Sequence, residues 1–303
     1  MGTPDFAVPS LATLCEAGHT PVVVVTAPDK PRGRGQRMGP TAVKEEALRR
    51  GIPVLQPESL KDDAFHDALA AFSTDLAVVV AFRILPERIF SLPSLGSFNL
   101  HASLLPRYRG AAPIQWALIN GERESGVTTF FLRKVVDTGN IILQERLPLP
   151  EDMTAGELHD ALSVLGADVV LRTVRLIQRG EAVALPQDDT AATPAPKITR
   201  ETCRIDWSRS AAEVHNLVRG LSPYPAAWTT HNGRLLKVHR CDVVEDFSVG
   251  TPGQLLRVGG CVHVQCRKGS VSLRHVQQEG RQDMDIEAFL RGYSLAVGEM
   301  LGR

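Results

Sequence analysis

Residues 75–82 read DLAVVVAF, an almost continuous apolar run with β-branched residues at its centre. Such a run, without polar alternation, is typical of a strand buried on both faces of a parallel sheet. Similar or weaker strand patterns occur at residues 21–26 (PVVVVT), 97–102 and 125–132. Helical patterns lie between these runs, at residues 10–16, 41–50 and 113–120. The alternation predicts an α/β domain built on a parallel sheet covered by helices.

A long helix is predicted to close this first domain. Thr154 and Glu157 have the spacing of a capping box, in which each side chain satisfies a backbone N–H of the other at a helix start. Apolar residues then recur at helical spacing, and Gly180 offers a natural end. We therefore expect the first domain to span residues 1–185.

The sequence after residue 185 has a different pattern of proline, glycine and apolar residues. Residues 186–200 contain three prolines and few large apolar side chains, which is typical of a linker. Beyond them, strand-length runs are separated by glycines, and Asn232-Gly233 is a strong hairpin signal. This pattern predicts a small antiparallel barrel in residues 201–303.

Composition narrows the class of protein. The 303 residues are 43% hydrophobic and 22% charged, values typical of a globular protein with two domains. Since no run approaches the roughly 20 apolar residues of a membrane span, we expect a cytoplasmic protein. The five cysteines show neither a disulfide framework nor the spacing of a zinc site, so they are expected to be reduced, without a metal.

A candidate catalytic group lies in the run FNLHASLLP at residues 98–106. Asn99 and His101 are two positions apart, so a strand would place both side chains on one face. An amide N–H can stabilise the oxyanion of an acyl-transfer reaction, and an imidazole can share that role or relay protons near neutral pH. Asp137 could fix the tautomer of the imidazole or accept the proton of an attacking amine. Spacing alone also allows a buried structural histidine, a strand-end asparagine and an ordinary loop acid.

A basic segment is the second informative feature. Residues 28–40 read PDKPRGRGQRMGP, in which glycines and prolines exclude a regular helix and predict an extended, mobile loop. Across residues 30–50, seven basic residues outnumber two acidic ones, a local excess of five in a chain whose formal net charge is zero. Such a loop suits a phosphate backbone, because docking basic groups release counterions. A solvated surface loop fits the pattern equally well.

Several segments resemble the methionyl-tRNA formyltransferase family nearly end to end. They are GTPDFAVPSL (2–11), DKPRGRGQ (29–36), FNLHASLLPRYRGAAPIQWALINGE (98–122), GVTT (126–129), DTGNI (137–141) and LSPYPAAW (221–228). The Asn-x-His-x-Ser-Leu-Leu-Pro string is shared by folate-dependent formyltransferases of this fold. The GTP-x-F-AVP start and the PDKPRGRG loop are more particular to the enzymes that act on tRNA.

The resemblance implies a Rossmann-like formyltransferase domain followed by an oligonucleotide-binding-like (OB-like) barrel that contacts tRNA. It implies transfer of a formyl group from 10-formyltetrahydrofolate to the α-amino group of methionine on initiator tRNA, and we expect a monomer. The catalytic residues would be Asn99, His101 and Asp137. The tRNA contacts would be Lys30, Arg32, Arg34 and Arg37, with Arg34 expected at the acceptor stem. The folate pocket would be lined by Phe82, Arg83, Ile84, Leu85, Ser103, Leu104, Leu105, Pro106, Val135 and Val136, although Ser103 could equally be a structural hydroxyl.

Three departures from the family pattern affect these expectations. Members usually have apolar residues before the GTP motif that form the first parallel strand, whereas here Gly2 follows Met1 directly. We therefore expect a central strand to be missing and the true reading frame to begin upstream, since losing an internal strand exposes sheet edges. Arg83, Val135 and Val136 stand where glycine is common in the family. Because these residues touch the expected folate pocket, donor affinity is harder to predict than the reaction.

Other functions stay open. A formyltransferase of this fold could act on a small amine, such as an amino-sugar nucleotide or glycinamide ribotide, but neither residues 28–40 nor a C-terminal barrel would be needed. A formyltetrahydrofolate dehydrogenase is disfavoured because the chain ends where its dehydrogenase domain would begin. A non-catalytic RNA-binding module is favoured by the missing strand and disfavoured by the intact Asn99, His101 and Asp137.

Overall fold

A computed structural model of the chain describes residues 1–32, 37–244, 250–258 and 260–302. The chain divides into two compact units. Unit 1 comprises Met1–Gly110, Glu124–Pro148 and His159–Ala195, and unit 2 comprises Ala111–Arg123, Leu149–Leu158 and Pro196–Arg303. Among the helices of the described ranges, none combines the length and the apolar character needed to cross a membrane.

The helices predicted at residues 10–16, 41–50 and 113–120 and after Thr154 are all present, whereas three further helices, at residues 63–70, 87–90 and 286–290, were not predicted. Their bounds are Val8–Glu16 (α1), Ala42–Arg49 (α2), Asp63–Ala70 (α3), Glu87–Phe90 (α4), Pro113–Ile119 (α5), Ala155–Gln178 (α6), Ala211–Leu221 (α7) and Ile286–Leu290 (α8). The capping box is confirmed at α6, where the Thr154 backbone N–H donates to Glu157 Oε2 at 2.8 Å and the Glu157 N–H donates to Thr154 Oγ1 at 3.3 Å. Gly180 ends this helical region with φ of +70°, as expected of a left-handed cap.

The strands of the described ranges are between 2 and 11 residues long. Their bounds are Val24–Val25 (β1), Lys30–Arg32 (β2), Arg37–Gly39 (β3), Val54–Leu55 (β4), Ala77–Val80 (β5), Ser97–His101 (β6), Arg109–Gly110 (β7), Glu124–Phe131 (β8), Ile141–Pro148 (β9), Pro194–Ala195 (β10), Ala227–His231 (β11), Arg234–Val244 (β12), Leu255–Val258 (β13), Cys261–Gln265 (β14), Ser270–Gln278 (β15) and Met284–Asp285 (β16).

The sheet of unit 1 is mixed. Strands β5 and β6 pair in parallel, with Val79 opposite Asn99, and β1 and β4 form a separate parallel pair. Strand β8 joins β6 in antiparallel orientation, and β9 continues the sheet beside β8. The predicted parallel sheet is therefore correct for β1, β5 and β6 and wrong for β8, and β4 was not predicted. The apolar pattern of β8 reports its burial and does not fix its direction.

Met1 and Gly2 lie between β1 and β5. The Gly2 N–H donates to the Val25 carbonyl at 3.0 Å, and the Met1 carbonyl accepts from the Val80 N–H at 2.9 Å. A cavity of about 350 Å³, lined mainly by apolar side chains that include Val24 and Val80, borders these two residues. Residues 1 and 2 therefore bond to the backbones of both β1 and β5, and Gly2 forms a parallel bridge with Val80.

The basic segment differs from the predicted mobile loop. Its described parts form β2 and β3, which pair in antiparallel orientation with Lys30 opposite Gly39. The Lys30 side chain is exposed. The predicted tRNA-contacting Arg34 lies outside the described residues, as do the side chains of Arg32 and Arg37.

Unit 2 is organised by an antiparallel sheet with strand order β11-β12-β15-β14-β13, to which β16 adds beside β15. Asn232 and Gly233 form the predicted hairpin turn, with φ of +50° and +72°. Buried side chains on the sheet and on α7, including Leu221 and Leu273, form the core. All five cysteines are free, and burial raises the pKa of the Cys266 thiol to about 12.

Candidate active site

His101 ends strand β6 and is almost completely buried, with 7% of its surface exposed. Its Nε2 lies 2.8 Å from the backbone carbonyl oxygen of Tyr108. Because a carbonyl oxygen can only accept a hydrogen bond, Nε2 must carry the hydrogen. In the neutral ring, Nδ1 is then the nitrogen with the free lone pair.

Asp137 faces this second nitrogen. Its Oδ2 lies 3.9 Å from His101 Nδ1 and accepts a hydrogen bond from the Gly110 N–H at 2.9 Å. The 3.9 Å gap exceeds a hydrogen bond, so the Tyr108 carbonyl, rather than Asp137, fixes the tautomer of His101. Two acceptor atoms therefore face each other across a space that favours a proton or an N–H group between them. Both side chains are at least nine-tenths buried, which strengthens that electrostatic preference.

A tight loop holds Asp137. Its backbone has φ of +56°, in the left-handed region. The Gln187 Nε2 donates to the carbonyls of Asp137 and Gly139, both at 2.8 Å. Arg109 in turn donates to Gln187 Oε1 at 2.7 Å. A Cβ at Gly139 would lie 1.6 Å from the Phe131 carbonyl oxygen, so the loop packs directly on the backbone of β8.

The segment predicted as a linker also supports the site. The Tyr108 N–H donates to Thr193 Oγ1 at 2.9 Å, and the Arg109 N–H donates to the Thr193 carbonyl at 2.9 Å. Strand β10 pairs in parallel with β7 immediately afterwards. Residues 186–195 thus hold both the carbonyl that binds His101 and the loop that carries Asp137. Sequence reasoning missed Tyr108, Gly110, Gln187 and Thr193, and the RYRG string beside SLLP was the signal that could have indicated the first two.

Asn99 lies two positions before His101 on β6, so strand alternation places both side chains on one face. Its side chain is partly buried, and its Cα neighbours are Val79 on β5 and Phe130 on β8. The structure therefore brings His101 and Asp137 together and puts Asn99 on the same strand face as His101. This arrangement supplies an amide donor, an imidazole and a carboxylate for chemistry at a carbonyl group.

Known proteins share this sequence and fold. The family described as "Formyl transferase" matches residues 1–174, and "Formyl transferase, C-terminal domain" matches residues 197–294. The methionyl-tRNA formyltransferase of Chlorobium phaeovibrioides is 47% identical over 100% of this chain and 97% of its own length. That of Moorella thermoacetica is also 47% identical, over 100% of this chain and 98% of its own length. The chain belongs to the methionyl-tRNA formyltransferase family.

A solved structure of another formyltransferase has the same fold. The N-formyltransferase from Helicobacter canadensis, in complex with folinic acid and dTDP-3-aminofucose, superposes with a TM-score of 0.68. It is 20% identical in sequence and covers 91% of this chain and 97% of its own chain. The motif-based assignment to the methionyl-tRNA formyltransferase family is thus confirmed, together with the formyltransferase fold.

Two side chains of the SLLP segment, residues 103–106, are buried. The Ser103 hydroxyl is buried and donates to the Arg107 carbonyl at 2.7 Å, which makes it a structural hydroxyl. Leu105 is likewise buried, whereas Leu104 and Pro106 are half-buried. The apolar surface that this segment can offer to a ligand therefore comes from Leu104 and Pro106.

The other predicted folate-lining residues fall in two groups. In the first, Phe82 and Leu85 pack partly on an apolar cluster, and Ile84 is 75% exposed. The Arg83 guanidinium donates to the carbonyls of residues 57 and 58 at 2.8 and 2.9 Å and lies over the Phe82 ring. This side chain ties the segment to the neighbouring loop. The second group consists of Val135 and Val136, which are exposed and precede Asp137 in the chain.

Among the residues that the structure describes, histidine, cysteine and acidic side chains form no group of three or more that could hold a metal ion.

Proposed function

We propose that this chain transfers the formyl group of 10-formyltetrahydrofolate to the α-amino group of initiator methionyl-tRNA, for translation initiation. Curated relatives with the corresponding name are 47% identical over the whole chain and favour this acceptor over a small amine. The observation that carries the proposal is the buried pair of His101 and Asp137, whose Nδ1 and Oδ2 atoms are 3.9 Å apart.

The chemistry follows from the valence of these groups. The amine nitrogen attacks the formyl carbon, which gives a tetrahedral species with an oxyanion and a positively charged nitrogen. The Asn99 amide N–H can donate to that oxyanion. The gap between His101 Nδ1 and Asp137 Oδ2 can receive the amine proton, since both atoms are acceptors. When the bond from carbon to folate N10 breaks, protonated His101 can return that proton to N10.

Asp137 then has two effects on His101. Its negative charge stabilises the imidazolium that forms when Nδ1 takes the proton, because both groups lie in a poorly solvated environment. Its carboxylate also offers the amine an acceptor before attack. The Tyr108 carbonyl keeps the ring from rotating, so Nδ1 stays directed to the gap.

The folate donor would lie against the apolar side chains around this pair. We assign the proposed pocket to Phe82, Arg83, Ile84, Leu85, Ser103, Leu104, Leu105, Pro106, Val135 and Val136. Side-chain contacts are proposed for the exposed or half-buried members, and backbone contacts for Ser103 and Leu105, whose side chains are buried. Solved neighbours that carry folate compounds in their names support a pterin donor on this fold.

The tRNA acceptor would contact the basic segment, residues 28–40, through Lys30, Arg32, Arg34 and Arg37. We further propose that residues 1–185 perform catalysis, that residues 186–200 connect the domains, and that residues 201–303 form an OB-like domain that contacts tRNA. The protein would act as a monomer. Because charged initiator tRNA is used where translation takes place, the reaction would occur in the cytoplasm.

Incubation of the purified chain with 10-formyltetrahydrofolate and methionyl-tRNA tests this proposal directly. The expected product is formylmethionyl-tRNA, with release of one tetrahydrofolate for each formyl group transferred. Uncharged tRNA and dTDP-linked amino sugar serve as control acceptors. Formylation of the amino sugar, with none of methionyl-tRNA, would overturn the proposed acceptor.

A further inference from the structure

Strands β6, β8 and β9 place three polar side chains in one row of the sheet of unit 1. His101 on β6 is the register partner of Thr128 on β8, and Thr128 is in turn the partner of Gln144 on β9. Side chains at paired positions of neighbouring strands project from the same face of a sheet. Thr128 and Gln144 therefore lie on the face that carries His101, although neither takes part in the proposed proton transfers.

The hydroxyl of Thr128 is fully engaged in hydrogen bonds. It donates to the Ser103 carbonyl at 2.6 Å, and it accepts from the Leu105 N–H at 3.1 Å and from Gln144 Nε2 at 3.0 Å. A hydroxyl has one hydrogen and two lone pairs, so these three bonds use its whole capacity. Thr128 is completely buried, where loss of the hydroxyl would leave backbone groups unpaired at a cost in free energy.

The other two members of the row bind the same loop, residues 103–108. Gln144 Nε2 donates its second hydrogen to the Leu105 carbonyl at 2.7 Å, and His101 Nε2 donates to the Tyr108 carbonyl at 2.8 Å. The row thus binds the loop near its start, at its middle and at its end. The position of the loop therefore depends on β8 and β9 as well as on the strand that carries the imidazole.

Hydrogen bonds within the loop make it a compact unit. The Ser103 hydroxyl donates to the Arg107 carbonyl at 2.7 Å, and the Arg107 N–H donates to the Leu104 carbonyl at 3.1 Å. Leu104 and Pro106, whose half-buried side chains are proposed to contact folate, belong to this unit. A displacement of the loop would move both apolar side chains, together with the carbonyl that binds the imidazole.

We propose that Thr128 and Gln144 are positioning residues for the folate donor and act through the backbone of residues 103–108. This inference rests on the proposed function, since it takes the loop to line the donor pocket. A loop that is fixed before the donor arrives loses little conformational freedom on binding, and it keeps the imidazole in one orientation. Loss of either side chain should therefore weaken donor binding and leave the contacts with the tRNA acceptor in place.

Near-isosteric variants of the full chain test this role. Thr128→Val removes the hydroxyl and keeps the shape, whereas Gln144→Met removes both amide hydrogens and keeps the length of the side chain. Thr128→Val should raise the dissociation constant for folinic acid and the KM for 10-formyltetrahydrofolate by about tenfold, and Gln144→Met should raise both severalfold. The KM for methionyl-tRNA should stay unchanged. Thr128→Ser, which retains a hydroxyl, should bind folinic acid as the unaltered chain does.

Matched controls separate this role from a general loss of stability. Thr173 is also completely buried in unit 1, and its hydroxyl donates to the Val169 carbonyl at 2.7 Å. Thr173→Val, and Gln178→Met at an exposed position of α6, should leave the binding of folinic acid unchanged. Since Thr128→Val could fail to fold, Gln144→Met, at an exposed position, then decides the outcome.

The proposal is overturned by unchanged folinic acid binding in a folded Thr128→Val or Gln144→Met variant. Equal losses of binding in Thr173→Val, or in Thr128→Ser, would also overturn it. Titration calorimetry measures this binding without an acceptor, and unfolding curves show which variants are folded. Failure of the proposed function is observed separately, because the unaltered chain would then form no formylmethionyl-tRNA.

Discussion

His101 and Asp137 are separated by 3.9 Å between Nδ1 and Oδ2, a distance that leaves the pair adjacent but without a direct hydrogen bond. The ring is instead held through Nε2 by the Tyr108 carbonyl, at 2.8 Å. The carboxylate is held by the Gly110 N–H, at 2.9 Å. Each member of the pair is thus oriented by backbone, and our proposal places the amine proton in the space between them.

Gln187 is predicted to act as a positioning residue. Its side-chain amide binds the carbonyls on either side of the Asp137 turn, so Gln187→Ala should displace the carboxylate and lower kcat by up to about 100-fold. The KM for methionyl-tRNA should change little, because Gln187 lies outside the proposed tRNA contacts. Steady-state kinetics measures both, with Gln178→Ala at the exposed end of α6 as the matched control. A KM effect without a kcat effect would contradict this role.

Gly139→Ala should destabilise unit 1. The added Cβ would lie 1.6 Å from the Phe131 carbonyl oxygen, so the loop must move away from β8. Overpacking of this kind costs about 1–3 kcal/mol or more. Urea unfolding measures the loss, and Gly292→Ala is the control because its Cβ would meet no atom within 4 Å. Equal stability of the two variants would show that the loop relaxes freely.

Removal of the positive charges of the basic segment should weaken tRNA binding, because fewer cations would then face the phosphates. Replacement of Lys30, Arg32, Arg34 and Arg37 by glutamine removes four charges that could meet phosphates. Each lost contact should reduce the slope of log K against log salt by about 0.7 to 0.9. Filter binding across a salt series gives that slope. A double variant of two exposed, ion-paired arginines, Arg146→Gln with Arg179→Gln, should leave it unchanged.

Helix α7 carries a pH-dependent cap. Hydrogen bonds from Ser210, with further support from Arg209, lower the pKa of Glu213 from 4.5 to about 2. The folded state therefore favours the carboxylate, and this stabilisation is complete above pH 4.5 and is lost as the pH falls toward 2. Glu213→Ala should accordingly be less stable than the unaltered chain at pH 7, by an amount that shrinks below pH 4.5. Denaturant unfolding at several pH values checks this, and a difference that grows in acid would refute it.

Local sequence signals predicted much of the fold. The apolar run of β5, the capping box at Thr154 and Glu157, and the Asn232-Gly233 turn each depend on neighbours within a few residues. These features appeared where expected because local propensity and tertiary burial agree there. The direction of β8 was not predictable, because the same apolar spacing serves either orientation.

The candidate site was predictable only in part. Asn99 and His101 share one strand, so their common face follows from a period of two. Gln187 binds the backbone of Asp137 from 50 positions away in the sequence. It lies in a proline-rich segment that contains no recognisable motif. The hydrogen bond to the Tyr108 carbonyl depends on a left-handed backbone at Tyr108, with φ of +62°, which no local pattern indicates for a tyrosine.

The central claim is that Asn99, His101 and Asp137 act together in formyl transfer. The most direct measurement is the single-turnover rate of methionyl-tRNA formylation by Asn99→Ala, His101→Ala and Asp137→Asn, each with unfolding curves to show that the variant is folded. Each folded variant is predicted to lose about 100- to 10,000-fold in rate. Near-normal rates in all three would contradict the account.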